Sequence, residues 1–258
     1  TFEGGLGWTP IITGGNTLGG DIAAQRTNYF GEDAEDFNLT ALRGVVRHRY
    51  SFQGFGRKQN LLIRYLFGLI IFDGGELVEE DSPYIFSESH SGRLRWSIRH
   101  SDSEETYIEG GGGWEGFRDI RRKGIKLNAT LGENSFYLDN RLKFLFAASM
   151  SYGDAYHDSY DLIAPGGFLG VSFLWPKEIE SMLKGLFNYR DYHHSEGYES
   201  WDELRRKDKS ITGEVAVSKL FWEWFRPQLA FRVSRNFSNV EQYDYFKSVA
   251  LATLRAEF

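Results

Sequence analysis

The chain has 258 residues, a formal charge of −6 and no cysteine, which excludes a disulfide-stapled fold and a basic nucleic-acid-binding surface as its main theme. No run of 18 apolar residues occurs, so a transmembrane helix is excluded; the longest apolar stretch, 61–72, is broken by Arg64. Phe, Tyr and Trp (21, 14 and 7 residues) and 29 Gly are abundant, while mean hydropathy is only −0.43, a combination that suits strands exposing alternate residues to two different environments.

Residues 1–18 read as an N-terminal linker or a short first strand: Phe2, Leu6 and Trp8 share one parity, then Pro10 and Gly14-Gly15-Asn16 interrupt it. The start at Thr1 suggests a signal peptide already removed and leaves open a further N-terminal domain. From Gly19 onward alternation of period two is sustained, and strands are predicted at 19–30, 36–52, 59–73, 85–101, 105–119, 123–132, 137–153, 164–175, 178–193, 207–221, 224–237 and 243–258. The expected fold is therefore all-β over 19–258: a transmembrane antiparallel up-and-down β-barrel, with twelve strands preferred and fourteen possible.

The alternation is clearest in 141–152. There Leu142, Phe144, Phe146, Ala148, Met150 and Tyr152 share one face, and Arg141, Lys143, Leu145, Ala147, Ser149 and Ser151 share the other. No helix face carries residues i and i+2 together. Connector lengths alternate as well. Trp175-Pro176-Lys177-Glu178 and Phe221-Trp222-Glu223-Trp224 are tight, whereas Asp73–Tyr84, Gly153–Ala164 and His193–Lys207 are long and acidic. Short turns at one end and long loops at the other characterise outer-membrane barrels. A soluble β-sandwich or lectin also yields many alternating strands. Strands of this predicted length exceed the usual 5–6 residues, which favours the membrane barrel.

The face opposite the apolar one is basic. It is expected to place Arg43, Arg47, Arg49, Arg64, Arg93, Arg95, Arg99, Lys126, Arg141, Lys143, Lys184, Arg190, Arg232, Lys247 and Arg255 in the lumen. The acidic residues on that face are fewer: Glu109, Glu115, Glu180, Glu214 and Glu257. A narrow basic lumen favours anions; the alternative is a packed ladder of ion pairs that fills a small barrel.

The catalytic options are thin. His193-His194 beside Asp191 and Glu196 suggests a metal, but adjacent residues rarely chelate one ion, and no cofactor or metal is expected. Arg235-Asn236-Phe237-Ser238-Asn239 is similar to the His-x-Ser-Asn of outer-membrane lipid A deacylases, except that Asn236 stands at the histidine position and the general base is missing. Gly110–Gly113 has no following helix to build a phosphate turn, so close backbone packing or a barrel kink is the expected role.

The end of the chain carries two resemblances. Alternating apolar residues that finish on Phe258 resemble the terminal strand of bacterial outer-membrane barrels, with Phe246, Leu254 and Phe258 as the implied membrane-insertion signal. Arg226-Pro227, Arg232, Asn236-Phe237-Ser238-Asn239-Val240, Tyr243-Asp244-Tyr245-Phe246 and Glu257-Phe258 resemble the end of the barrel of surface lipoprotein assembly modifiers and of related barrels that follow tetratricopeptide domains. The resemblance implies a non-enzymatic channel or secretion conduit in the bacterial outer membrane. The expected partners are outer-membrane lipid and lipopolysaccharide, barrel-assembly machinery, and a periplasmic or secreted protein; nucleic acid is not expected. A structural barrel anchoring a partner and a rim enzyme acting on lipid or peptide are the alternatives.

Overall fold

A residue that must face hydrocarbon on one side of a strand and water or side chains on the other is forced into period two, and almost the whole chain obeys that rule. The computed structural model describes residues 2–8, 11–12, 16–27, 39–72, 84–117, 123–156, 160–192, 205–221 and 225–257. Its strands are β1 (Phe2–Trp8), β2 (Ile11–Ile12), β3 (Asn16–Thr27), β4 (Leu39–Gly54), β5 (Arg57–Phe72), β6 (Tyr84–Arg99) and β7 (Glu104–Phe117) in the first half. The second half holds β8 (Gly124–Tyr137), β9 (Leu142–Ala155), β10 (Leu162–Trp175), β11 (Ile179–Tyr192), β12 (Lys207–Lys219), β13 (Phe225–Ser238) and β14 (Tyr245–Glu257).

From β3 to β14 each strand pairs antiparallel with the next, giving twelve strands in an up-and-down order. β3 and β14 do not pair with each other, so the antiparallel sheet is not closed by its own first and last strands. β1 lies between them, parallel to β14 (Phe2 opposite Ala252) and antiparallel to β3 (Phe2 opposite Arg26). The expected strand at 19–30 begins earlier, at Asn16, so residues 16–18 belong to a wall strand rather than to a linker.

The connectors fall into two sets. After β4, β6, β8, β10 and β12 the turns are short; those after β3, β5 and β11 are longer, and all odd-numbered strands from β3 turn at the opposite end. Phe55 and Gly56 both have positive φ (53° and 71°), the two-residue hairpin geometry that matches strand twist. β14 ends at the short-turn end. The 153–164 connector is shorter than the sequence suggested, since β9 runs to Ala155 and β10 starts at Leu162.

One turn is displaced from its predicted place. The predicted strands 123–132 and 137–153 leave it at 133–136; it sits instead at Leu138, Asp139 and Asn140, all at positive φ. Gly132 has a packing role. A Cβ there would lie 2.3 Å from Cζ of Tyr107, whose ring covers the glycine from the neighbouring strand. Gly132→Val is therefore expected to cost about 1–3 kcal/mol by overpacking, read as a lower urea midpoint in lipid. Removing the ring as well, in Y107A/G132V, should return part of it.

Burial is inverted relative to a water-soluble domain. Buried positions include Gln59, Asp208, Glu109, Glu214 and Asn236, whereas Ile22, Leu169 and Leu229 are 64%, 63% and 69% exposed. The exposed apolar set continues from strand to strand: Ile63 and Tyr65, Leu94 and Trp96, Leu127 and Leu131, Phe144 and Phe146, Leu183 and Phe187, Val215 and Val217, Phe231 and Phe246. Monomeric soluble proteins rarely leave so large an apolar patch in water. No helix of the described residues is long and apolar enough to cross a membrane.

Candidate functional site: the basic inner face

Registered pairs point to the same side of a sheet, so one inward residue fixes its whole row. Glu109, 4% exposed, stands opposite Arg95 on β6 and Thr130 on β8. One step along, Arg47, Arg64 and Arg93 lie opposite one another on β4, β5 and β6. Side by side, three guanidinium groups repel, and two carboxylates hold them. Asp21 on β3 accepts from Arg47 at 2.7 Å. Glu109 accepts from Arg64 and, at 2.7 Å, from Arg95 Nε, while Arg93 reaches its other oxygen at 3.6 Å. The Arg95 guanidinium also stacks 4.0 Å over the Tyr107 ring.

The glycine run on β7 makes this cluster sterically feasible. Gly111 faces Arg93, and a Cβ there would lie 2.4 Å from the Gly92 carbonyl oxygen; at Gly113 the same test gives 2.3 Å from the His90 carbonyl oxygen. The run is a close approach of two strands, one of the two roles expected of it.

Further carboxylates on the inner face are also engaged. Glu214 accepts from Arg232 Nε at 2.7 Å, Glu180 from Arg226 at 3.0 Å, and Glu115 pairs with Lys126. At the mouth on the long-connector side, Arg206 is clamped to both oxygens of Asp208 and lies between the rings of Tyr192 (4.5 Å) and Tyr243 (3.2 Å). Burial opposes its charge, but the bonds to Asp208 and the two tyrosines outweigh that and hold the guanidinium above its ordinary value. A cavity of about 390 Å³ beside it is lined by Arg190, Arg206, Lys126, Glu115, Tyr160 and Tyr243. A second, of about 410 Å³, is lined by Arg93, Lys126, Glu115, Asn128, Ser149 and Ser151.

The basic residues proposed from the sequence are placed differently; Lys126 is paired with Glu115, and Lys184 registers opposite Glu214 and lies 5.6 Å over the Phe168 ring. Arg47, Arg64, Arg93, Arg95 and Arg232 are held by carboxylates. Arg99 donates to the carbonyls of Ser101 and Asp102 and closes the β6–β7 turn, while Lys143 lies 5.4 Å over the Phe136 ring. Arg43, Arg49 and Lys247 share the inward register with no carboxylate partner among the described residues, and Arg190 registers opposite Asp208, whose oxygens are held by Arg206. Arg141 lies in the β8–β9 turn rather than on a strand. Arg255 registers with Arg226 and Gly5.

Of the insertion-signal residues, Phe246 is 64% exposed on the outer face, Leu254 registers opposite Pro227 on the same parity, and Phe258 lies outside the described residues. His193 and His194 also lie outside them. Among the described residues no group of His, Cys, Asp or Glu could hold a metal. His48 and His90 point to the outer face; Tyr65 Oη lies 2.7 Å from His90 Nδ1. Asn236, the residue at the histidine position of the deacylase-like stretch, is 2% exposed and donates to the Tyr243 carbonyl at 2.6 Å, a bond that ties β13 to the turn before β14.

Compared with known proteins, residues 126–258 match the family described as surface lipoprotein assembly modifier, a span running from β8 to the last residue. No curated protein matches the chain.

Proposed function

The chain belongs to the surface lipoprotein assembly modifier family, and on that premise we propose that it works in the bacterial outer membrane in surface lipoprotein assembly, as a non-enzymatic conduit whose inner face favours anionic cargo. The observation that supports this is the charge left over on that face. Its described carboxylates Asp21, Glu109, Glu115, Glu180, Asp208 and Glu214 are each paired with a cation and Glu105 registers opposite Arg99, yet Arg43, Arg49, Arg190 and Lys247 have no ion pair among the described residues. Unpaired cations in a low-dielectric passage attract anions more strongly than they would in water.

The test is reversal potential in a planar bilayer under a salt gradient. Wild type is expected to prefer chloride, and R43Q/R49Q/R190Q, which spares every ion pair described above, should lose most of that preference. Cation selectivity in the wild type contradicts the electrostatic reading. A barrel that inserts but never conducts favours a second reading, a structural barrel that anchors a partner, for which the near-complete burial of Glu109 among three arginines is the supporting observation.

A further inference from the structure

The outer face is apolar along most of its height, and its charged residues gather at the rims. On β12 that face reads Lys207, Lys209, Ile211, Gly213, Val215, Val217, Lys219: basic, apolar, basic. Lys207 and Lys209 are exposed at the long-connector end. Arg235 on β13 is the diagonal neighbour of Lys209, since Lys209 registers with Phe237 and Ile211 with Arg235. Tyr189 and Phe237 flank Lys209 in the same row, an interfacial aromatic position.

We propose that this rim is a binding site for the phosphate groups of a phosphorylated glycolipid of the outer leaflet. Among the described residues four cations meet two carboxylates here. Asp191, which registers with Lys207, is 2.8 Å from Arg205, and Asp244 is paired with Arg235. Lys207 and Lys209 are left without an ion-pair partner among the described residues. Their stems lie on the apolar belt and their ammonium groups rise to the headgroup level, where a compact, strongly hydrated charge meets a phosphate. The site is local. Among the described residues of β6 to β9 the outward ones at the same end are Glu88, His90, Lys123 and Asp154, two carboxylates against one lysine. An anionic headgroup is therefore favoured on the β12–β13 side.

The inference rests on the outer-membrane reading, with the long connectors facing outward, and not on transport. The folded protein in detergent is titrated with bisphosphorylated lipid A, dephosphorylated lipid A and phosphatidylglycerol, and retained lipid is read by native mass spectrometry. Wild type is expected to retain the bisphosphorylated glycolipid and to lose the dephosphorylated form. K207Q/K209Q should bind the former about tenfold or more weakly, as expected for loss of charge-assisted contacts, while K219Q, at the opposite rim, should match wild type. Equal retention by K207Q/K209Q overturns the proposal, and so does equal retention of phosphatidylglycerol by wild type. If the double variant does not fold, K209Q alone gives the same comparison. Insertion into vesicles is measured in parallel: a protein that inserts and ignores lipid A sinks this inference alone, and one that inserts into no bilayer sinks the outer-membrane reading with it.

Discussion

Glu109→Ala is expected to be the most damaging single substitution in the described part of the chain. It strands Arg64, Arg93 and Arg95 beside one another with no counter-ion, and breaking a buried ion pair by removing one partner costs about 3–5 kcal/mol. Arg47 in the next row already repels Arg64 and has only Asp21 to hold it. The urea midpoint of the lipid-reconstituted protein should fall sharply, and the temperature at which the folded band is lost on gels should fall with it. Replacing the arginines too, in E109Q/R64Q/R95Q, should recover much of the loss, because the penalty lies in the uncompensated charge and not in the missing carboxylate. Wild-type stability in E109A would mean that water reaches all three guanidinium groups, which would make the inner face wetter than the packing suggests.

A charge placed in the apolar belt is the second large effect. Val215, 52% exposed, sits in the middle of the outer face of β12, with Lys209 and Lys219 above and below it. Val215→Arg should cost about 2–4 kcal/mol if that position lies at the bilayer midplane and should slow or abolish folding into vesicles. The inward neighbour Thr212, hydrogen-bonded to Ser234 at 2.9 Å, provides the contrast. Thr212→Arg loses one hydrogen bond, about 1 kcal/mol, and adds its charge to a face that already carries many. Similar costs at the two sites would remove the distinction between the faces.

Much of this wall was legible because each strand repeats one instruction many times. In β9 every second residue from Leu142 to Tyr152 is apolar, and in β14 the same parity holds Phe246, Ala250, Ala252 and Leu254; a one-residue slip would turn the whole set to the other face, so parity and face followed directly. Neighbouring strands followed directly where the connector is tight, as between β4 and β5 and between β10 and β11. Partners were less legible. Glu109 was assigned inward from its own strand, but its three arginines come from β5 and β6, and inter-strand register has no mark in a single sequence. Asp21 lies in a strand rich in Gly and Ala, where alternation carries little contrast, and Asp208 and Arg206 sit where β12 meets its connector. The pairing of β1 with both β3 and β14 spans nearly the whole chain and leaves no local signal. The β8–β9 turn was placed too early, at 133–136, because the role of Gly132 within the strand depends on Tyr107 across the strand pair, which a single sequence does not mark.

The central claim, that the apolar face meets lipid and the basic face lines the interior, is most directly tested by spin-label accessibility along β9. The chain contains no cysteine, so single-cysteine substitutions need no background removal. Labels at positions 142 through 152, one per variant, are read in vesicles with lipid-soluble oxygen and with a water-soluble nickel chelate as relaxing agents. Labels replacing Leu142, Phe144, Phe146, Ala148, Met150 and Tyr152 should be relaxed by oxygen and shielded from nickel. Those replacing Lys143, Leu145, Ala147, Ser149 and Ser151 should be shielded from oxygen, giving a period of two in the ratio of the accessibilities. A flat profile, or the same period with the two sets exchanged, would contradict it.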